Sequence, residues 1–266
     1  MIIKESLHKP SDTERANSHW RALYITGGVA ALLAVFLFRR NLGAELALLS
    51  NFGIVSGVPK ASLNSAMDWF NLFQDNWLVG LTMMNFFDLV EYALLALIFL
   101  PLYAALRQTG RSSMAIATVS GLIGITVYFS SNQAFAMLAL SERYAAAATD
   151  LQRSAYLSAG EALLAINNLD SIYQGTGIYL SLFLVLLAGL IISIVMLKSD
   201  IFSKATAVVG ILANGIGLSY FITLVFFPAI YWIPHPISAP FRVIWYFLIA
   251  LRLFKLAKTE KGMKNE

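Results

Sequence analysis

The sequence predicts an all-α polytopic membrane protein: a bundle of six transmembrane helices with extracytoplasmic amphipathic helices. Three observations predict it. Hydrophobic residues make up 58% of the 266-residue chain and charged residues 13%, against roughly 45–50% and about 25% in an ordinary globular protein. The apolar residues gather into six long runs. Lys and Arg fall unevenly between the loops on the two sides of those runs. The first observation leaves too little charge to cover a soluble surface of this size. It therefore excludes a soluble enzyme, a disordered chain and a nucleic-acid-binding domain, and the net charge of +4 reads as topology instead.

A hydrocarbon core about 30 Å thick needs roughly 20 apolar helical residues. The first span is 22–38, between Arg21 and the Arg39–Arg40 pair. The second is 77–106, with Pro101 near its end, and the third is 113–137, rich in small residues. The fourth, 173–197, holds the cleanest apolar run, YLSLFLVLLAGLIISIVML. The fifth, 205–227, is stopped by Pro228, and the sixth is 240–256. Unpaired backbone groups are very costly in lipid, so each run is a helix; a β-barrel would need alternating segments of about ten residues. The first span reads as a retained anchor, not a signal peptide. About twenty polar residues precede it, and arginines follow where a small-residue cleavage site would stand.

These spans leave residues 1–21 as an N-terminal segment and 257–266 as a basic tail. The side holding both termini and the 2–3 and 4–5 loops carries thirteen Lys and Arg: Lys4, Lys9, Arg15, Arg21, Arg107, Arg111, Lys198, Lys204, Arg252, Lys255, Lys258, Lys261 and Lys264. The other side carries six: Arg39, Arg40, Lys60, Arg143, Arg153 and Arg242. The richer side is expected in the cytoplasm, with both termini inside. Trp20, Trp69, Trp77 and Trp232 fall near span ends, as interfacial aromatics do.

Two outer stretches are more than connectors. In 62–75, Leu63, Met67, Phe70 and Phe73 recur at helical spacing opposite Asn64, Asp68, Asn71 and Asp75, which predicts a short amphipathic helix. Residues 138–168 are Ala- and Leu-rich, so the third span is expected to continue outward and return through a second helix. The pair forms a structural lid or the cover of an outward-facing cavity. The segments LRQTGRSSMAIATVSGLIGITVYF and LKSDIFSKATAVVGILANGIGLSYF share a basic turn followed by a Gly- and Ala-rich helix. That is an internal repeat or simply the product of the charge rule.

The second span supplies the candidate site. Asn85, Asp88 and Glu91 stand about 12–21 Å along the helix from Trp77 at 1.5 Å per residue, which places both carboxylates well inside the bilayer. Asn85, Asp88 and Tyr92 share a stripe, with Glu91 about 60° to its side. A charge at mid-bilayer costs about 2.5–3.5 kcal/mol, and acids three residues apart repel. At least one should hold a proton or a cation. The cluster either binds a proton, cation or small ligand, or fixes helix packing. Arg242 is the best cationic partner; it reaches the acids along the helix or snorkels outward. Asp88→Asn is expected to disturb stability or ligand response more than Asp68→Asn. In the fifth span, Gly210, Asn214, Gly215 and Gly217 point to close packing, with Asn214 also a candidate ligand contact.

Other chemistries lack their residues. The chain has no Cys, which excludes disulfides, thiolate metal sites and a Cys nucleophile. His8, His19 and His235 are far apart in sequence, and Pro234-His235-Pro236 reads as a stiff outer loop. There is no phosphate loop, no GxGxxG and no HExxH. No cofactor is implied, and the reading leans away from an enzyme. An intramembrane acid catalyst is the weakest alternative.

The stretch LKSDIFSKATAVVGILANGIGLSYFI, with Lys198, Ser199, Gly210, Gly217 and Tyr220, resembles an uncharacterised prokaryotic membrane family, the domain-of-unknown-function family numbered 4386. The RALYITGG start and Arg39–Arg40 exit of the first span are similar to it as well. Asp88 and Glu91 depart from its usual pattern. The resemblance implies a prokaryotic cytoplasmic-membrane protein and carries no activity. The functional expectation is small-molecule or ion binding or transport through the second-span cluster. A non-catalytic sensor or partner subunit is the alternative. The expected partners are the lipid bilayer and a small-molecule, lipid or ion ligand, with no nucleic acid.

Overall fold

A computed structural model describes residues 12–37, 63–167 and 175–262. The described residues are helical, with short turns and no strand. In chain order the helices are α1 (Asp12–Leu37), α2 (Ala66–Asp75), α3 (Trp77–Met83), α4 (Phe86–Leu106), α5 (Arg111–Ser131), α6 (Ala134–Ala145), α7 (Asp150–Asn167), α8 (Thr176–Leu197), α9 (Lys204–Phe226) and α10 (Pro234–Gly262). A short 3₁₀ turn, Pro228–Ile230, precedes α10. Six helices are long and apolar enough to cross a membrane. The protein is therefore an all-α membrane bundle, as the composition predicts.

The six spans α1, α4, α5, α8, α9 and α10 close into a ring. Each packs on its neighbour in the chain, α10 returns to α1, and α4 touches α8 across the interior. Small residues set the close approaches. Ala30, Ala31 and Ala34 are buried on α1. A Cβ on Gly27 would meet Leu97 O of α4 at 3.1 Å, and one on Gly124 would meet Ser181 O of α8 at 3.0 Å. Without a hydrophobic force between helices in lipid, such backbone proximity is what dispersion contacts need. The outer faces carry exposed Leu33, Leu97, Ile123, Ile194, Val225 and Phe247, the surface a bilayer would solvate.

A second, smaller core caps one end of the ring. Trp69, Phe70, Leu72 and Phe73 of α2 pack with Val79 and Leu81 of α3 and with Ala134 and Met137 of α6. Ser65 and Asp68 form a reciprocal capping box that starts α2, and Glu161 of α7 accepts the Ala66 N–H at 2.8 Å. The hydroxyl of Ser65, donating to Asp68 at 2.8 Å, holds that carboxyl below its ordinary range. Gln74 Nε2 donates to Ser141 Oγ of α6 at 2.9 Å. The two outer helical stretches predicted from the sequence are thus one packed unit.

Several expectations change. The second predicted span is two helices: Asn85 takes φ 63° and ψ 33° and separates α3 from α4. The third ends at Ser131, not 137, and Asn132 and Gln133 turn the chain into α6. The sixth begins early, so Pro234-His235-Pro236 is the first turn of α10, not a loop. Proline suits that position because the first N–H groups have no intrahelical acceptor. Trp69 lies in the cap core, 7% exposed, while Trp77 and Trp232 are more than half exposed at span ends. Trp20 sits beneath the Arg107 guanidinium, 5.1 Å from ring centroid to charge. The Arg39–Arg40 pair, Lys60 and the proposed entry to the fourth span at 173–174 lie outside the described residues.

Candidate functional site

The break at Asn85 relocates the acids. With α4 starting at Phe86, Asp88 falls in its first turn and Glu91 about 7.5 Å along it at 1.5 Å per residue. They lie near the capped end of the span Phe86–Leu106. Asp88 also gains from the positive helix N-terminus. Asn is among the few residues that accept left-handed backbone, and its carbonyl accepts from Asp88 N–H at 3.2 Å and from Asn132 Nδ2 at 3.2 Å.

The two acids then point to different neighbours. Tyr128 of α5 donates its hydroxyl to Asp88 Oδ2 at 3.0 Å. Its ring stacks on Tyr92, with centroids 3.9 Å apart and planes 9° from parallel. Asn132 Nδ2 lies 3.5 Å from the same hydroxyl, and Asn132 Oδ1 accepts Ala134 N–H at 3.0 Å. One asparagine thus ties the end of α5, the start of α6 and the α3–α4 break together.

Glu91 faces the interior. It is 7% exposed, and Arg242 of α10 is also 7% exposed. Arg242 stands about 12 Å along α10 from Pro234 at 1.5 Å per residue, so it is buried and does not snorkel outward. Its Nη2 donates to Ser238 Oγ at 3.3 Å, and a Cβ on Gly217 of α9 would lie 3.5 Å from it. Tyr246, one turn on along α10, is buried as well. A buried guanidinium and phenol on α10 and a buried carboxylate and phenol on α4 thus lie within one ring of spans.

Of the six predicted residues, Asn85, Asp88 and Tyr92 meet Asn132 and Tyr128 of the α5 end, while Glu91 and Arg242 are buried on α4 and α10. Asn214 belongs to helix packing. Its Nδ2 donates to Gly210 O at 2.8 Å, and its side chain fills the space at Gly189 of α8. Gly210 and Gly217 are close-packed as expected, but Gly215 faces open space. The sequence reading missed Tyr128, Asn132 and Tyr246. Tyr246 had a signal, because it stands at i+4 from Arg242 on one face. Tyr128 and Asn132 had only their place at the end of a predicted span.

The polar band is one-sided. On α4 it is followed by buried Leu95, Ile98, Phe99 and Leu102, and on α10 by Ile249 and Leu253. Among the described residues no group of His, Asp and Glu is arranged to hold a metal ion. The fold and this buried charged band define a polytopic α-helical membrane protein with an intramembrane polar cluster. Compared with family models, curated proteins and solved structures, the chain matches none.

Proposed function

We propose that this protein binds a small polar molecule or ion at the Asp88–Glu91–Arg242 cluster, as the binding step of transport across a prokaryotic cytoplasmic membrane. One observation carries the reading: a carboxylate and a guanidinium, each more than nine-tenths buried, stand on two helices of one ring of apolar spans. Burying such groups in a bilayer is costly, and intramembrane charges mark ligand and ion pathways. The cluster brings two acids and one guanidinium, with Asp88 on the Tyr128 side of α4 and Glu91 buried toward the interior. A proton or a cationic group therefore complements it better than an anion does. Ligand would enter from the capped end, where the polar band lies.

The topology belongs to the same proposal. With Arg242 inside the bundle, the thirteen-charge side faces even fewer opposing cations, so both termini are cytoplasmic. Reporter fusions at each terminus test this, and a periplasmic signal from either would reverse it. The family resemblance is likewise part of the proposal.

For the ligand, purified protein in neutral detergent is screened by thermal shift against pH, monovalent cations, amines and small zwitterions. A condition that raises the midpoint of the wild type but not of Glu91→Gln supports the reading. Equal responses, or none across the panel, would sink it. A sensor or partner subunit is the second reading, favoured by the apolar packing beneath the band. Binding without flux in proteoliposomes would select it.

A further inference from the structure

At the opposite end of the ring, a groove of about 390 Å³ lies between the 198–203 turn, the start of α9 and the last turns of α10. We infer that it holds the phosphate headgroup of an anionic phospholipid. Arg252 and Lys255 line it beside Ser203, Thr206 and Asp200, and Leu248 and Leu251 form its wall one turn deeper along α10. The position matches the ligand. Lys204 begins a span and Arg252 and Lys255 lie in the last two turns of another, so the groove stands at headgroup depth. Leu251, 52% exposed, continues it into the acyl region.

The site is built before a ligand arrives. Phe202 is 3% exposed and anchors the turn in the core. Ser199 Oγ accepts the Ile201 N–H at 3.1 Å and the Phe202 N–H at 3.5 Å. Ser203 caps α9 by accepting the Thr206 N–H at 3.1 Å, so the positive end of the helix faces the groove rim. The Arg252 Nε is buried and has no hydrogen-bond partner. The Nε atoms of Arg21 and Arg242 are in the same state, so it is the charge of the groove lining, not this atom, that argues for a phosphate. Two cations and a helix N-terminus outweigh the single carboxylate of Asp200. Basic pockets between membrane helices take lipid phosphates by this chemistry.

The test uses the full chain in neutral detergent. It is titrated separately with short-chain phosphatidylglycerol, short-chain phosphatidylcholine and inorganic phosphate, with retention read by native mass spectrometry and stability by thermal shift. Phosphatidylglycerol should be retained over phosphatidylcholine. Arg252→Gln and Lys255→Gln should each weaken retention about fivefold, and the pair about 25-fold. Lys258→Gln, exposed on the same helix end outside the groove, should leave it unchanged. Lys255 is exposed, so Lys255→Gln alone carries the test if the Arg252 variant does not fold. Equal retention of the two lipids, wild-type retention by Lys255→Gln, or an equal loss in Lys258→Gln would overturn the assignment. Stabilisation by inorganic phosphate with none by phosphatidylglycerol would overturn the lipid source.

Discussion

The contact between Tyr128 and Asp88 is the best handle on the cluster, because one atom can be removed without disturbing the packing. Tyr128→Phe deletes the hydroxyl that lies 3.0 Å from Asp88 Oδ2 and leaves the ring stacked on Tyr92 at 3.9 Å. A hydrogen bond to a charged group is worth about 1.5–3 kcal/mol at best. Cycles within membrane proteins give about 0.6 kcal/mol on average and about 1.7 at most. Asp88 is half-buried, so its coupling belongs in the middle of that range, about 1 kcal/mol. The measurement is a double-mutant cycle, Tyr128→Phe with Asp88→Ala, in reversible detergent unfolding. The cycle removes the helix-dipole benefit that Asp88 has by itself, leaving the pairwise term. Coupling below about 0.3 kcal/mol, the ordinary scatter of additive sites, would refute the claim that Tyr128 holds Asp88.

Asn85→Gly should keep the midpoint of unfolding, whereas Asn85→Val should lower stability by about 1–2 kcal/mol, the cost of a left-handed residue with a full side chain; equal effects would deny the α3–α4 break. Gly27→Ala brings a Cβ against Leu97 O and Pro101 and should cost about 1–3 kcal/mol by overpacking. Gly215→Ala meets nothing within 4 Å and should be neutral or stabilising by up to about 1 kcal/mol. Asp68→Asn should destabilise the cap at neutral pH, read by thermal midpoint. The depressed carboxyl of Asp68 stabilises the folded state above its unfolded value of 3.8. That contribution is lost as pH falls through the lower folded value, so the gap between wild type and variant should close in acid. Asp68 is therefore no silent control for Asp88; exposed Asp75 serves better.

The bundle was legible because hydropathy is additive along the chain: six apolar runs give six spans wherever their ends fall. Interruptions were not legible for the same reason. A window long enough to find a span averages across Asn85, so α3 and α4 merged, and two acids near a helix start read as acids at mid-bilayer. A local signal was present, since Asn followed three residues later by Asp is a helix-start pattern. It lost to the apolar residues on both sides. The start of α10 failed differently. Pro234 and Pro236 read as a loop and Pro240 as the start of the span, yet the first two fall where a helix needs no donor, and only Pro240 lies inside. Cross-helix partners such as Tyr128 and Tyr246 had no sequence signal strong enough to name them. Their roles depend on which helices adjoin in the ring.

Under the proposed function, the depth of the cluster constrains what a cycle of transport would have to move. The polar groups occupy the first two to three turns of α4 and α10 from the capped end; beneath them Phe99, Ile98 and Ile249 are almost fully buried. A ligand seated at Glu91 and Arg242 thus has a polar layer on one side and close-packed hydrocarbon on the other. Packed cores rearrange between discrete arrangements and do not stretch. Passage under that proposal would require α10 or α4 to shift against a neighbour. The contacts best suited to sliding are those where glycine replaces bulk: Gly210 beneath Trp245, Gly217 beside Arg242 and Gly27 against Pro101. Two of these three lie on the α9–α10 seam, and Arg242 is itself part of that seam. Ligand binding and seam geometry are then coupled through one residue. Neutralising Arg242 should alter the α9–α10 contact as well as affinity, whereas neutralising Glu91 on α4 should alter affinity alone. Crosslinking across the seam in the two variants separates these outcomes, and identical crosslinking would leave α10 without a mechanical role.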